Sequence, residues 1–240
     1  MNNTKGVMQF RKLNPNAPEL SVLGLGTWAI GGPWQWGWGP QDDRDSILAI
    51  RASLDGGINW LDTAPVYGFG HSEEIVGKAV KDIRKEVFIA TKCGLVWDDQ
   101  KKVRRHLSAE SIRVEVEASL KRLQTDYIDL YQHHWMDDNT SVNESWGELV
   151  KLRDEGKIRF IGVCNYDVAN LNKCLKLAPV DSLQPPYSLL DREIEKELLP
   201  WCVKNTAGVL AYSPLQNGLL TGRFKLENLA KDDWRRKSTF

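Results

Sequence analysis

This sequence has no surplus of charge. Its 240 residues carry 32 Lys plus Arg against 32 Asp plus Glu. A formal net charge of zero removes the electrostatic reason to expect nucleic acid or an anionic membrane as a partner. No stretch approaches the roughly 20 apolar residues of a membrane span. The opening MNNTKGVMQFRKLNPNAPEL has no apolar segment of the kind a secretory leader needs. Cysteines are few: Cys93, Cys164, Cys174 and Cys202, with no CxxC spacing. A reduced cytoplasmic protein without a disulfide framework is therefore expected. There is no repeat and no low-complexity linker, so residues 1–240 read as a single domain. A GxGxxG turn is also missing. The first strand-like segment is followed by GGPWQWGWG, with no helix start against which a third glycine could pack. A Rossmann dinucleotide site is disfavoured.

What is present alternates. Strand-like segments fall at Val22–Trp28, Asn59–Thr63, Val87–Lys92, Tyr127–His134, Ile158–Asn165, Asp181–Tyr187 and Val209–Ser213. Between them, helical spacing and capping residues mark Asp43–Asp55, Ser72–Val80, Ser108–Leu123, Val142–Glu155, Asp167–Leu177 and Arg192–Lys204. Strands alternating with helices of this length imply parallel βαβ units. The expected fold is α/β: a (β/α)8 TIM barrel preceded by an N-terminal hairpin in which Met8–Leu13 pairs near Leu20. The series is one strand short of eight. The sequence reads as truncated after the seventh strand, with the last helix–strand–helix portion missing.

In a parallel barrel the chemistry lies at the C-terminal ends of the strands. Those ends carry Asp62, Lys92, His133 and His134, Asn165, Gln184, Tyr212 and Ser213, while the strand interiors are apolar. Any one of them is an ordinary cap; together they outline a rim. Past Asp62, the stretch NWLDTAPVYGFGHSEE brings a phenol, Tyr67, through a glycine-flanked loop. A free phenol has a pKa near 10. A lysine beside it favours the phenolate and lowers that value, and a carboxylate keeps the lysine charged. Such a group donates a proton to a carbonyl oxygen that is gaining charge. No nucleophile–base pair and no metal cluster is visible. His133 and His134 are adjacent on a strand and point to opposite faces, and His71-Ser-Glu-Glu is not HExxH. Strand parity does not choose between the two histidines, because both faces of their strand carry apolar residues. If a carbonyl is protonated without metal or covalent nucleophile, a hydride must complete the reaction, and a nicotinamide is the implied donor. A hydrolase with paired carboxylates is disfavoured, since Asp62 has no second rim acid beside it.

These motifs resemble the aldo-keto reductases, in the bacterial general oxidoreductase branch related to potassium-channel beta subunits. GLGTWAIGG, LDTAPVYGFGHSEEIVG, ATKCG, DYIDLYQHHW, FIGVCNY, QPPYSLLDRE and AYSPLQNGLLTGRF carry the resemblance, from Gly24 to Phe224. It implies NADP(H)-dependent reduction of an aldehyde, ketone or sugar, with NAD(H) not excluded. It implies Tyr67 as general acid, Lys92 lowering its pKa, Asp62 supporting the lysine and His134 orienting the substrate, with His133 structural. It implies cofactor contacts from Gly26, Thr27, Trp28, Asp62, Asn165, Gln184 and Tyr212. The loop Ser213, Pro214, Leu215, Gly218, Leu220, Gly222 and Arg223 would wrap the pyrophosphate. Cys164 stands where the family often has serine. A non-catalytic nicotinamide-binding protein, or an inactive fragment, is the alternative.

Ten tryptophans are many for this length. Trp28, Trp34, Trp36, Trp38, Trp97 and Trp135 all fall beside the rim, and an aromatic wall around the carbonyl is expected there, with Trp28, Trp36, Trp97 and Trp135 as the pocket residues.

Overall fold

The computed structural model describes residues 8–229 and 233–237. The first seven residues of the stretch read for a leader, and part of the polar stretch after Phe224, lie outside them.

The chain opens with a hairpin of β1 (Phe10–Lys12) and β2 (Glu19–Ser21), paired with Arg11 opposite Leu20. Then follow β3 (Leu25–Gly26), α1 (Asp43–Asp55), β4 (Trp60–Asp62), α2 (His71–Val80) and β5 (Phe88–Cys93). A second hairpin, β6 (Leu95–Trp97) and β7 (Val103–Arg105), precedes α3 (Ala109–Leu123). The series ends with β8 (Ile128–His133), α4 (Val142–Asp154), β9 (Ile158–Cys164), α5 (Val168–Leu175), β10 (Ser182–Gln184), α6 (Leu198–Asn205) and β11 (Gly208–Val209). Side-chain caps start four of the helices: Asp42, Ser108, Ser141 and Asp167 each accept from the backbone N–H three residues on.

Seven strands form one parallel sheet in the order β3-β4-β5-β8-β9-β10-β11. This is chain order without reversal, the order of a TIM barrel rather than of a doubly wound sheet. Tyr131, Ile161, Leu61 and Ile89 point outward into the larger apolar core shared with the helices. Alternate residues point inward. Phe88, Ala90, Leu130, Trp60 and Phe160 meet there with Leu13, Ala17 and Leu20 of the N-terminal hairpin. That hairpin plugs the base of the curled sheet. It is tied to β4, where Trp60 Nε1 donates to Ser21 O at 2.8 Å, and to the residue just before β10, where Asn14 Nδ2 donates to Asp181 Oδ1 at 2.8 Å.

Four elements differ from the sequence-based expectation. The first strand is only Leu25–Gly26, because Trp28 already turns into a short 3-10 segment, Ala29–Gly31. The last is only Gly208–Val209. Its pairing reappears at an isolated bridge between Pro186 and Tyr212, since Pro185 and Pro186 have no N–H to give the ladder. The helix expected over Arg192–Lys204 is a 3-10 turn, Glu193–Glu195, followed by α6. Pro200 is tolerated in the first turn of a helix but clashes with a preceding one, so the helix cannot run back to Arg192. The β6–β7 hairpin was not expected at all.

Candidate active site

Lys92 is the centre of the site. It lies on the inward face of β5 and is fully buried. Its ammonium has three protons and three acceptors: Asp62 Oδ1 at 2.6 Å, Thr63 O at 2.9 Å and Tyr67 Oη at 3.3 Å. A buried charge with fewer partners would be expelled or neutralised. Burial disfavours the ammonium, but the Asp62 carboxylate and Tyr67 more than offset it, and the lysine pKa rises above its usual value.

Asp62 ends β4, the neighbour of β5, in register with Ala90. Its second oxygen accepts from Gln184 Nε2 at 2.9 Å. The Gln184 carbonyl faces the Cys164 thiol, Sγ to Oε1 3.6 Å. Burial holds that thiol protonated, so it is the donor. The amide of Gln184 is thereby oriented from both ends. A donor chain runs from Cys164 through Gln184 to Asp62, the carboxylate shared with Lys92.

Tyr67 stands on the loop between β4 and α2. Gly68 has φ 66° and Gly70 has φ 102°, a region where side chains other than Gly are strained. Close approach also demands glycine here. A Cβ on Gly31 would lie 2.6 Å from the Tyr67 carbonyl carbon, so the 3-10 turn after β3 braces the tyrosine loop from behind. Thr27 and Ser72 stitch the same region: Ser72 Oγ donates toward Thr27 at 2.8–2.9 Å, and Thr27 N–H donates to Asp62 O at 2.9 Å. The tyrosine pKa departs from expectation. Burial raises it, Lys92 lowers it and Asp62 raises it again, and the balance is an upward shift to about 12. Lys92 thus moderates the rise and does not bring the phenol below its ordinary value. At neutral pH the phenol is protonated, the state a proton donor needs.

The two histidines separate cleanly in space. His133 points outward. It is buried, hydrogen-bonded through Nδ1 to Tyr166 Oη at 2.9 Å, and its ring lies 5.7 Å from Trp146 of α4. Burial lowers its pKa to about 3. His134 follows on the inner side, its ring edge-on to Tyr67 at 5.8 Å. Burial and then the Lys92 charge push its pKa well below the usual value, so it too is neutral. Asn165 links three strand ends. Its Nδ2 donates to His134 O at 3.2 Å, and its Oδ1 accepts from Tyr212 Oη at 2.9 Å. It does so at φ 58°, which asparagine tolerates better than most residues.

The donor set fits a nicotinamide carboxamide. Asn165 and Gln184 are amides on adjoining strand ends, and the Tyr212 ring is half-buried beside them. In the following loop, Ser213, Gln216, Asn217, Gly218 and Gly222 all have positive φ. Gln216 N–H donates to Ser213 O at 2.9 Å and Gly218 N–H to Leu215 O at 3.1 Å, so the loop is held by its own backbone. Pro214, Leu215, Leu220 and Arg223 lie in the same loop, with Leu220 N–H closing it onto Leu215 O at 3.1 Å. Gly26 ends β3 beside Asp62. Among the described residues, no group of His, Cys, Asp or Glu could hold a metal.

The tryptophans form two groups at this mouth. Trp28 packs on Trp38 at 6.0 Å and on Trp234 at 5.5 Å. Trp34 packs on Tyr67 at 5.9 Å, with Trp36 and Phe69 against it, and Trp97 packs on Phe69 at 5.4 Å. Trp36 therefore sits one ring farther from Tyr67 than Trp34. Trp135 carries the Arg105 guanidinium 4.9 Å above its ring. Sequence reasoning placed Trp34 on the rim without singling it out from Trp36, and it passed over Trp234 and the Thr63 carbonyl. Nothing in the local pattern distinguishes Trp34 from its neighbours two and four residues on.

The comparisons with known proteins agree with this fold. Residues 22–239 match the Aldo/keto reductase family model. The aldo-keto reductase YhdN of Bacillus subtilis is 46% identical over 228 residues, 94% of this chain and 68% of the relative. The NADH-specific methylglyoxal reductase of Escherichia coli is 46% identical over 219 residues, 85% of this chain and 66% of the relative. Among solved structures, the glycerol dehydrogenase of Gluconobacter oxydans superposes with a TM-score of 0.85 at 46% identity, covering 94% of this chain and 69% of its own. The chain belongs to the aldo/keto reductase family, a family of nicotinamide-dependent oxidoreductases. It spans about two thirds of the length of the relatives it matches.

Proposed function

We propose that this chain reduces a small aldehyde or ketone to the alcohol in the cytoplasm, with NADP(H) as the preferred cofactor and NAD(H) as the rival. The carrying observation is the fully buried Lys92 ammonium shared among Asp62, Thr63 O and Tyr67 Oη. A nicotinamide bound beside Asn165, Gln184 and Tyr212 would supply the hydride. The chain's own residues do the rest. Tyr67 donates its phenolic proton to the carbonyl oxygen, and Lys92 lies close enough to stabilise the phenolate left behind. Asp62 holds Lys92 charged and in place. Neutral His134 offers a hydrogen bond to the same oxygen, and the surrounding indoles exclude water. The names of the relatives point to three-carbon substrates such as methylglyoxal or the oxidised forms of glycerol. Four buried free cysteines fit a reducing compartment.

The test is NADPH consumption at 340 nm by the purified chain with methylglyoxal and glyceraldehyde, beside its Tyr67→Phe variant. Turnover that falls on the order of 10³-fold in the variant, with cofactor affinity within twofold, supports the reading. Tight cofactor binding without turnover sinks it in favour of a non-catalytic nicotinamide-binding protein. Tighter binding of NADH than of NADPH sinks the cofactor preference.

A further inference from the structure

The β6–β7 hairpin lies on the catalytic rim and carries Lys101, Lys102, Arg104 and Arg105. Cross-strand pairing of Leu95 with Arg105 and Trp97 with Val103 puts Arg105 on the face of Leu95 and Trp97, with Arg104 on the opposite face and Lys101 and Lys102 in the turn. From the hairpin, two cations reach aromatic rings. Lys101 Nζ sits 5.2 Å over Phe69, and Arg105 Cζ sits 4.9 Å over Trp135. Each ring belongs to a segment that carries a site residue: Phe69 is two residues after Tyr67, and Trp135 directly follows His134.

These cations differ from the other ring-seated ones on the surface. Arg84 and Arg159, both over Tyr127, bind Asp129 at 2.8 and 3.0 Å, and Arg235 over Trp38 binds Asp233 at 2.7 Å. Among the described residues, neither Lys101 nor Arg105 has a carboxylate partner. Two of the nearby acids are engaged elsewhere. Asp98 Oδ1 caps the hairpin turn, accepting from Gln100 N and Lys102 N at 3.0 and 2.9 Å. Asp137 is buried and accepts from Leu107 N at 3.0 Å and Thr140 Oγ1 at 2.7 Å. A guanidinium laid on an indole keeps its planar edge of donors open and has already lost much of its rotamer freedom. That is the arrangement for bidentate capture of an anion.

We propose that Arg105, assisted by Lys101, selects carbonyl substrates that carry an anionic group, a carboxylate or a phosphate, at the end away from the carbonyl. The inference rests on the reductase reading above and names its substrate class. Tyr67 and His134 would take the carbonyl oxygen while the hairpin takes the anion.

The experiment compares kcat/KM within matched pairs: succinic semialdehyde against butanal, and glyceraldehyde 3-phosphate against glyceraldehyde. The wild-type chain should favour the anionic member of at least one pair on the order of 10- to 100-fold. Which pair responds separates carboxylate from phosphate. The ratio should fall toward one in Arg105→Met, recover in part in Arg105→Lys, and shrink as salt rises from about 20 to about 500 mM. No preference in the wild type, or a ratio untouched by Arg105→Met, overturns the proposal. So does an Arg105→Met variant whose only defect is weaker NADPH binding, since the anion would then be the cofactor's. If no aldehyde is reduced at all, the reductase reading has failed, and a tryptophan-fluorescence titration with succinate and inorganic phosphate decides the inference by itself. Saturable quenching that Arg105→Met removes supports it, and absence of quenching overturns it.

Discussion

Replacing Asp62 by Asn tests the reasoning about the buried lysine without touching Tyr67. Lys92 Nζ is fully buried, and its only anionic partner among the described residues is the Asp62 oxygen at 2.6 Å. Removing one partner of such a pair leaves an uncompensated charge and costs about 3–5 kcal/mol. Asn keeps a dipole facing the ammonium, so the lower end applies, about 3 kcal/mol. For a chain of this length that is a fall in Tm of about 6–12 °C. The pH dependence carries the sharper signature. In the wild type the folded lysine pKa lies above its unfolded value, so the stabilisation is fully present below the unfolded pKa and is lost only as pH rises through the folded one. Across pH 6–9 the pair therefore adds no slope. In Asp62→Asn, burial is no longer offset by the carboxylate and the folded lysine pKa drops below its unfolded value. The unfolded chain then binds more protons than the folded one, and stability rises with pH. Urea unfolding at pH 6 and pH 9 measures both effects. The double variant Asp62→Asn with Lys92→Met should recover most of the loss, because the desolvated charge is gone. A single variant that loses less than about 1 kcal/mol, with no slope in pH, would refute the claim that Asp62 is what keeps Lys92 charged.

Three further outcomes follow from the same geometry. In the cofactor-free protein, the ultraviolet difference titration of wild type minus Tyr67→Phe should show no phenolate appearing below about pH 10, because the Tyr67 pKa is raised to about 12; ionisation near pH 8 would contradict the balance drawn between burial and Lys92. His134→Gln should lower kcat/KM on the order of 10²-fold at unchanged Tm, whereas His133→Gln, which breaks the bond to Tyr166, should lower stability by about 1–3 kcal/mol and leave kcat/KM of the folded protein alone; the reverse pattern would exchange their roles. Gly31→Ala places a methyl 2.6 Å from the Tyr67 carbonyl carbon. It should cost at least tenfold in kcat/KM with unchanged circular dichroism, since small misplacements of a reacting group are expensive; wild-type rates would show that the brace behind Tyr67 is dispensable.

The hairpin β6–β7 and the two histidines show where reading along the chain stops. The hairpin has no glycine turn to announce it. Its reversal is made by Asp98, whose side chain caps two backbone N–H groups, and by Lys101 at φ 61°, a conformation nothing in the side chain predicts. His133 and His134 occupy opposite faces of a strand, and which face is inner depends on α4 and Trp146 packing behind it. The same holds for Trp34 over Trp36, which differ in proximity to Tyr67 only through the path of a loop.

The sequence by itself determined the alternation of strand and helix, hence the parallel sheet in chain order, and the polar residues that end its strands. Local periodicity and capping are short-range properties, and each strand end is written in its own segment. Only the tertiary structure decided that Lys92 has three partners, that Tyr67 is raised rather than lowered in pKa, that Cys164 and Gln184 hold the far oxygen of Asp62, and that Arg105 has no carboxylate partner among the described residues. Each of these is a balance of burial against distance between residues 20 or more apart in sequence, or a choice among neighbours that the fold alone brings near.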